Sequence, residues 1–223
     1  MRIKSILIIA VMLLCSMKCY CEHNHSHHEQ NAHSTEKDKD RWLWQLPRKV
    51  MKEIGIKEGM VVADVGAGDG YFTIPLAQKV GNKGIIIASD IDQNGLDKIK
   101  VKSDKLGLKN IRIILGDENN PKLPSGQIDI VLIVNTIHYI KDLNSVLDNI
   151  KTSLKPGGKM VIIQWDAEKM NIEAEREWDA EDKRQFSMRT TLKRIYAANF
   201  EVEKILTFLP MQNIFICVPD AGS

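Results

Sequence analysis

Apolar residues in this chain gather in short, nearly continuous runs that alternate with more polar stretches. Branched apolar residues dominate positions 61–65, 84–90, 111–115, 128–134 and 159–165. Strands that are apolar on both sides are typical of a parallel sheet with helices on each face. The alternation of these runs with helical stretches therefore predicts an α/β fold with a mostly parallel sheet.

Helical periodicity is clearest near the two ends of this pattern. Apolar residues recur at helical spacing from Leu46 to Ile54, and Pro47 suits the first turn of such a helix. A last amphipathic helix is predicted from the spacing of Leu192, Ile195, Tyr196 and Phe200. Before it, Glu168–Gln185 is dense in charges of both signs, which predicts a solvated helix or the flank of a lid.

The first strand runs into a glycine-rich segment with alternate glycines at Gly66, Gly68 and Gly70. Glycine is needed where the backbone takes a positive φ or lies against a ligand. The third glycine comes too early for a dinucleotide fingerprint, and the carboxylate of Asp64 would repel a pyrophosphate. A cationic ligand suits Asp64 better. The alternative is an ordinary tight connection between a strand and a helix.

Polar residues also follow the other predicted strands. Asp90 ends the second strand about 20 residues after the glycines, where such folds place a carboxylate on ribose hydroxyls, and Asp92 is a rival for that role. Asp117 and Glu118 follow the third strand. Because parallel strands end at the same edge of a sheet, we expect these side chains to share one crevice.

In this order and spacing, the chain resembles the class I S-adenosylmethionine-dependent methyltransferases, of the group that includes ubiquinone and menaquinone methyltransferases. The matching elements are the glycine segment, Asp90, Gly116-Asp117, Asp129 with 135–139, and the turn Lys155-Pro156-Gly157-Gly158. The resemblance covers about Arg41 to Val218 and implies a doubly wound, seven-stranded sheet. Its C-terminal antiparallel hairpin would be formed by Val202–Phe208 and Ile214–Val218.

The resemblance also implies how S-adenosylmethionine would bind. The amino-acid part of the cofactor would lie on the glycine backbone, with Asp64 near the ammonium group, and the ribose hydroxyls would bind Asp90. Asp117 would accept from the adenine amino group with Glu118 beside it, although a turn acid is the alternative for Asp117. Asn135 would lie near the sulfur. The cofactor-binding set is therefore Asp64, Gly66, Gly68, Gly70, Asp90, Asp117, Glu118 and Asn135.

Methyl transfer from a sulfonium depends mainly on positioning, and a base is needed only where the acceptor must lose a proton. His138 is the only histidine outside the N-terminal tract and follows the fourth strand, so it is the predicted base or substrate-orienting group. The alternative is a structural histidine. Trp44 and Gln45 could approach the methionine end of the cofactor. The alternative is that Trp42 and Trp44 only pack the helix on the sheet.

Composition limits the classes of molecule that the chain is expected to bind. The formal charge of +2 is close to balance and only 6% of the residues are aromatic, so neither a basic surface nor a stacking platform for nucleic acid is predicted. About 180 residues follow residue 40, which is enough for a single core without a large acceptor-recognition insert. A small-molecule acceptor is therefore expected, with no nucleic acid and no stable protein partner.

The N-terminus has the layout of a secretory signal peptide. Arg2 and Lys4 precede the apolar run Ile6–Leu14, which is shorter than the roughly 20 residues that span a bilayer. We expect a signal peptide at 1–21, a disordered polar linker at 22–40 and the methyltransferase domain at 41–223. The chain would then be exported, periplasmic or secreted, and a membrane-anchored lipoprotein is the alternative.

The linker contains histidines at positions 23, 25, 27, 28 and 33. We interpret them as part of a solvated segment and predict no defined metal site, with weak metal binding as the alternative. Cleavage after Cys21 would leave only Cys217, a buried thiol in the last strand. Two other functions stay open: a cofactor-binding protein without catalysis, and an exported metal-binding protein acting through the histidine tract.

Overall fold

The computed structural model describes residues 36–173, 180–220 and 222. The chain divides into two units, Met1–Lys39 and Asp40–Ser223, and of the first unit only the start of a helix is described. The predicted signal peptide and the histidines of the predicted linker lie outside the described residues. In the described part of the chain, no helix has the length and apolar character required to cross a membrane.

Seven strands form one sheet: β1 (Val61–Val65), β2 (Ile85–Asp90), β3 (Ile111–Leu115), β4 (Ile128–Val134), β5 (Leu154–Trp165), β6 (Phe200–Leu206) and β7 (Gln212–Pro219). Their order across the sheet is β3-β2-β1-β4-β5-β7-β6. The first five strands pair in parallel, and β7 is antiparallel to both β5 and β6. The predicted fold class, including the C-terminal hairpin, is confirmed.

The described helices are α1 (Glu36–Gln45), α2 (Pro47–Glu53), α3 (Thr73–Val80), α4 (Gln93–Lys105), α5 (Leu143–Ser153), α6 (Ala167–Glu173), α7 (Ala180–Gln185) and α8 (Met188–Ala197). Polar side chains start several of them. Asp92, Asp142 and Ser187 each accept a backbone N–H from the first turn that follows, which satisfies donors that have no partner within the helix.

Successive residues of each central strand pack into two separate core layers, because side chains alternate between the two faces of a sheet. One layer joins strand residues such as Val62, Leu132 and Ile163 to α2 and α3. The opposite layer joins Ala63, Val131, Ile162 and Phe215 to α5 and α8. This double burial explains why the strands are apolar without interruption. Cys217 lies in the second layer, where burial raises the pKa of its thiol to about 12.

Some boundaries differ from the sequence expectation, and in two places the type of element differs as well. The turn predicted at Lys155-Pro156-Gly157-Gly158 belongs to β5. This strand pairs with β4 through Ile128↔Leu154, shifts register and resumes at Ile130↔Lys159. Phe200 was expected on the last helix, but α8 ends at Ala197 and Phe200 begins β6. Asn199 separates the two elements with φ 56°, a left-handed conformation that asparagine tolerates better than most residues.

The strand order changes direction between β1 and β4, since β2 and β3 follow on one side and β5 and β7 on the other. In open α/β sheets, ligands bind at the carboxyl ends of the strands at this switch point. Asp129 lies at the opposite edge, where it accepts a hydrogen bond from the backbone of Val61 and contacts Lys155 at 2.8 Å. Its contacts join three strands and place it outside the candidate site.

Candidate functional site

The glycine segment after β1 forms a tight turn that enters α3 at the switch point. Gly66 has φ 75°, and a Cβ there would lie 2.2 Å from Oγ1 of Thr136, so only glycine fits against the loop that follows β4. Gly68 has φ 54°, and a Cβ there would meet no atom within 4 Å. Its backbone is therefore accessible to a ligand. Gly70 packs closely on Ile99 of α4.

Asp64 is buried beneath this turn and is only 2% exposed. One carboxylate oxygen accepts a hydrogen bond from the Thr73 hydroxyl at 2.7 Å. Burial raises the pKa of Asp64 from 3.8 to about 6, against the opposing effects of the Thr73 bond and the nearby charge of Arg41. A cationic group placed beside Asp64 would favour its ionised form.

Asp90 connects the glycine segment to the end of β2. Its Oδ2 accepts the backbone N–H of Gly68 at 2.7 Å, and its Oδ1 accepts the N–H of Asp92 at 2.9 Å. The rival residue Asp92 is exposed and accepts N–H groups of Asn94 and Gly95 as the cap of α4. Since a carboxylate has about four acceptor positions, Asp90 retains capacity for ligand hydroxyls.

Asp117 and Glu118 lie on the exposed loop after β3. Oδ1 of Asp117 accepts the N–H of Asn119 at 3.1 Å, and the loop closes through a backbone bridge between Asp117 and Asn120. Asp117 therefore makes the contacts of a turn acid within its own loop, and its other oxygen is 3.7 Å from Lys122. The Glu118 side chain is 65% exposed and is 3.4 Å from Lys141. Of the predicted set, Glu118 has the weakest connection to the rest.

Asn135 follows β4 in a left-handed conformation, with φ 53°. Its backbone N–H donates to the Ile163 carbonyl at 2.8 Å, which fixes the first residue of the loop onto β5. Its side-chain Oδ1 accepts a 2.6 Å hydrogen bond from Nε2 of Gln212 on β7. The next residue, Thr136, is the one that packs on Gly66, so the loops after β1 and β4 form one surface.

His138 is half-buried between β5 and the segment before α8. Its Nδ1 lies 3.1 Å from Nε2 and 3.3 Å from Oε1 of the fully buried Gln164. The ring also meets Phe186 edge-on, with centroids 4.8 Å apart. Burial lowers the pKa of His138, and the charge of Arg194 lowers it further against the effect of the Gln164 bond. The imidazole is therefore neutral at neutral pH.

Arg194 is notable because its Nη1 is buried and has no hydrogen-bond partner in the part of the chain that the structure describes. Burial lowers the pKa of its guanidinium. Neither this residue nor its effect on His138 was predicted from the sequence. A single arginine in an amphipathic helix gives no local signal that its charge reaches a histidine more than 50 positions earlier in the chain.

The first helix covers the glycine side of the site. Arg41 lies over the Tyr71 ring at 3.9 Å, and Trp44 packs against Trp165 at a centroid distance of 5.3 Å. Gln45 is fully buried and binds Gln212. Packing of Trp44 on the end of β5 is therefore observed directly.

The site thus joins Gly68 to Asp90 by a hydrogen bond and Gly66 to Thr136 by close packing, with Asp64 in β1 and Asn135 directly after β4. Within the described residues, no group of three or more histidine, cysteine or acidic side chains could hold a metal ion. The arrangement offers an accessible backbone, a buried carboxylate, a second carboxylate at a strand end and a neutral imidazole. These groups suit a ligand with cationic and hydroxyl parts.

Comparisons with known proteins agree with this geometry. A family model described as a methyltransferase domain matches residues 56–210. The chain is 33% identical over 122 residues to a demethylmenaquinone methyltransferase from Lactococcus lactis, and 32% identical over 117 residues to one from Staphylococcus saprophyticus. These matches cover 55% and 52% of this chain but 48% and 49% of the relatives. The chain therefore spans about half the length of the curated relatives it matches.

Among solved structures, the fold is similar to that of a SAM-dependent methyltransferase from Aquifex aeolicus. The TM-score is 0.72 at 28% sequence identity, and the similarity covers 83% of this chain and 98% of that chain. The glycine segment, Asp90, Asp117, Asn135 and His138 all lie within the residues that the family model matches.

Proposed function

The chain belongs to the methyltransferase domain family, and on that premise we propose that it transfers a methyl group from S-adenosylmethionine to a small-molecule acceptor. The observation that carries the proposal is the 2.7 Å bond between the N–H of Gly68 and Oδ2 of Asp90. This bond places an accessible backbone segment and a strand-end carboxylate in one site at the switch point. An amino-acid part and a ribose of the same ligand can then bind side by side.

The residues present fit S-adenosylmethionine. Asp64 would attract the ammonium group, since an adjacent cation favours the ionised carboxylate. Asp90 would accept from the ribose hydroxyls, and Asp117 from the adenine amino group with Glu118 beside it. Gly66, Gly68 and Gly70 would let the backbone approach the amino-acid part, with Asn135 near the sulfur. The bound cofactor supplies an electrophilic methyl group.

The chain itself then orients the acceptor and, where required, removes its proton. His138 is suited to the second task because its lowered pKa keeps the imidazole neutral. Action as a base requires the tautomer in which Nδ1–H donates to Oε1 of Gln164 and Nε2 is unprotonated. Phe186 closes one side of the ring and reduces its contact with water.

The acceptor is a small molecule in this proposal. The two relatives from Lactococcus and Staphylococcus are named for demethylmenaquinone, which makes that compound the first acceptor to test.

Calorimetric titration of the chain without residues 1–21 tests the proposal directly. We expect micromolar binding of S-adenosylmethionine and none of NADH. Asp90→Ala should weaken cofactor binding by about 1.5–3 kcal/mol, the scale of hydrogen bonds to a charged group. The matched control is Asp148→Ala, which removes an exposed carboxylate from α5.

Unchanged affinity in Asp90→Ala, with a loss in Asp92→Ala, would move the ribose contact to Asp92. Absence of S-adenosylmethionine binding by the parent chain would refute the proposed function. Formation of S-adenosylhomocysteine in an acceptor screen that begins with demethylmenaquinone then separates an enzyme from a protein that only binds the cofactor.

A further inference from the structure

Three side-chain amides and one guanidinium form a continuous chain of hydrogen bonds, here called the amide relay: Arg41, Gln45, Gln212 and Asn135. Nε of Arg41 donates to Oε1 of Gln45 at 2.5 Å. Nε2 of Gln45 donates to Oε1 of Gln212 at 2.9 Å, and Nε2 of Gln212 donates to Oδ1 of Asn135 at 2.6 Å. The relay joins α1, β7 and the loop after β4.

The relay has a fixed direction because it starts from an arginine. The oxygen and nitrogen of a side-chain amide can usually exchange places with little change in shape, so their assignment depends on the hydrogen-bond network. A guanidinium has donors and no acceptor, and it stays charged in proteins. Arg41 therefore requires an oxygen from Gln45. The Gln45 nitrogen then faces Gln212 and donates to its oxygen. The Gln212 nitrogen in turn faces Asn135 and donates to the oxygen of that amide.

Burial makes this direction costly to reverse. Gln45 and Gln212 are both 0% exposed, so turning either amide would place two donors or two acceptors against each other without water. The backbone of Gln212 is also held, since its carbonyl accepts a 2.8 Å hydrogen bond from Nζ of Lys169. The packing of Trp44 on Trp165 fixes α1 above β5.

The last member of the relay lies in the candidate site. Oδ1 of Asn135 is occupied by Gln212, and no atom of the described residues accepts a hydrogen bond from its Nδ2. The left-handed backbone and the bond to the Ile163 carbonyl fix the position of Asn135 at the switch point. The Nδ2 group of Asn135 is therefore left as a hydrogen-bond donor with a fixed orientation that a ligand could use.

We propose that the amide relay presents Nδ2 of Asn135 as a fixed hydrogen-bond donor to an oxygen atom of the bound ligand, and that Gln212 is the positioning residue. The inference rests on the proposed function and adds the chemistry that Asn135 recognises, a carbonyl, carboxylate or hydroxyl oxygen with a free lone pair. Such an oxygen is present both in the carboxylate of S-adenosylmethionine and in an oxygen-bearing methyl acceptor. The experiment has one arm for each source.

The test uses the full chain with Gln212→Glu, which keeps the size of the side chain. Once ionised, the new carboxylate has only acceptors, so it would take hydrogen bonds from both Gln45 and Asn135. The Asn135 amide would turn and direct its oxygen toward the ligand. Above the pKa of the new carboxyl group, we expect a loss of about 10-fold or more in cofactor affinity or in the rate of methyl transfer. This is the scale expected when one hydrogen bond is replaced by a repulsive contact.

The pH dependence separates positioning from simple structural damage. Below its own pKa the introduced carboxyl group has an O–H donor and can restore the original direction. The affinity or rate of the variant, divided by that of the parent at the same pH, should therefore fall as pH rises. Gln212→Met offers no donor or acceptor of this kind at any pH, and its ratio to the parent should not change with pH. Thermal unfolding at each pH verifies that the variants remain folded.

Gln127→Glu is the matched control, because it makes the same chemical change at an exposed position. A rise in the Kd of S-adenosylmethionine in Gln212→Glu, absent in the control, would assign the donor to the cofactor. An unchanged Kd with slower S-adenosylhomocysteine formation from demethylmenaquinone, or from the acceptor that the screen identifies, would assign it to the acceptor.

Equal constants for Gln212→Glu and Gln127→Glu would overturn the proposal, and so would a pH-independent loss shared with Gln212→Met. Failure of the proposed function has a different result, since the parent chain itself would then not bind S-adenosylmethionine. That result would end both proposals, whereas failure of the relay alone leaves the parent active and its cofactor affinity intact.

Discussion

At the scale of single residues, Asp64 is a buried carboxyl group that costs folding free energy when ionised and lies where a ligand could bind it. Its carboxyl group lies beneath the glycine segment with one hydroxyl partner, Thr73, and burial raises its pKa to about 6. The difference from the ordinary value of 3.8 corresponds to about 3 kcal/mol. Burial of this kind at a site is typical of residues kept for a ligand.

The raised pKa sets the sign of its effect on stability. Between pH 4 and about 6 the unfolded chain ionises this carboxyl group while the folded chain keeps it protonated, so the free energy of unfolding falls as pH rises. Asp64→Asn removes the titration and leaves an oxygen for Thr73. We expect the variant to be more stable than the parent by up to about 3 kcal/mol at pH 7.5 and nearly equal at pH 4.

Urea denaturation at a series of pH values measures this difference. Asp148→Asn, at an exposed position on α5, is the matched control and should follow the parent at every pH. If the free energies of Asp64→Asn and the parent kept a constant difference from pH 4 to 7.5, burial would not be raising the pKa of this carboxyl group.

At the scale of elements, Lys169 fastens α6 to the connection between β6 and β7. Its Nζ donates to the carbonyls of Thr207, Leu209 and Gln212 at 2.9, 3.0 and 2.8 Å. Burial lowers the pKa of this amine, and the charge of Asp166 opposes that effect. Three backbone acceptors on one ammonium hold the connection in a single conformation close to the site.

Lys169→Met keeps the aliphatic stem and removes the three donors, so the connection should open more often. We expect faster amide hydrogen exchange in residues 207–212 and 167–170, with little change in β1 and β4, because local opening does not require global unfolding. Exchange measured by mass spectrometry gives this comparison. The control is Lys204→Met on β6, an exposed lysine. Equal exchange in the two variants would show that the three hydrogen bonds of Lys169 do not limit the opening of this connection.

At the scale of the molecule, both core layers share one sheet, so the layers should not unfold separately. Phe215 on β7 is 1% exposed and packs in the layer of α5 and α8. Phe215→Ala should lower the free energy of unfolding by about 3–5 kcal/mol. The matched control Tyr196→Ala truncates an aromatic ring that is 55% exposed and should cost about 0.5 kcal/mol or less.

Two probes of the same urea transition test the cooperativity. Of the four tryptophans, Trp42 packs on Tyr71 of the opposite layer, and Trp165, on the strand face of Ile163, packs on Trp44. Tryptophan fluorescence therefore includes the opposite side of the sheet, and far-ultraviolet circular dichroism reports on the whole chain. Coincident transitions, shifted equally by Phe215→Ala, are expected for a single cooperative unit. A fluorescence midpoint that stayed at the parent value would mean that the two layers unfold independently.

The sequence by itself determined most of the elements and the polar residues at the ends of the strands. Strands buried on both faces are apolar throughout, and a glycine with positive φ cannot be replaced without strain, so both leave local patterns. The same patterns place Asp64, Asp90 and Asn135 at or next to the carboxyl ends of strands. The exceptions are local as well: Phe200 continues a helical spacing, yet Asn199 ends α8 before it.

Only the tertiary structure decided which polar groups meet. Gln45 and Gln212 are 167 positions apart, Gln212 and Asn135 are 77 apart, and His138 and Gln164 are 26 apart. Hydrogen bonds over such separations leave no periodic signal, because a glutamine facing water and one facing a buried partner are the same letter. The burial that raises the pKa of Asp64 and the direction of the Asn135 amide likewise arise from residues brought together by the sheet order.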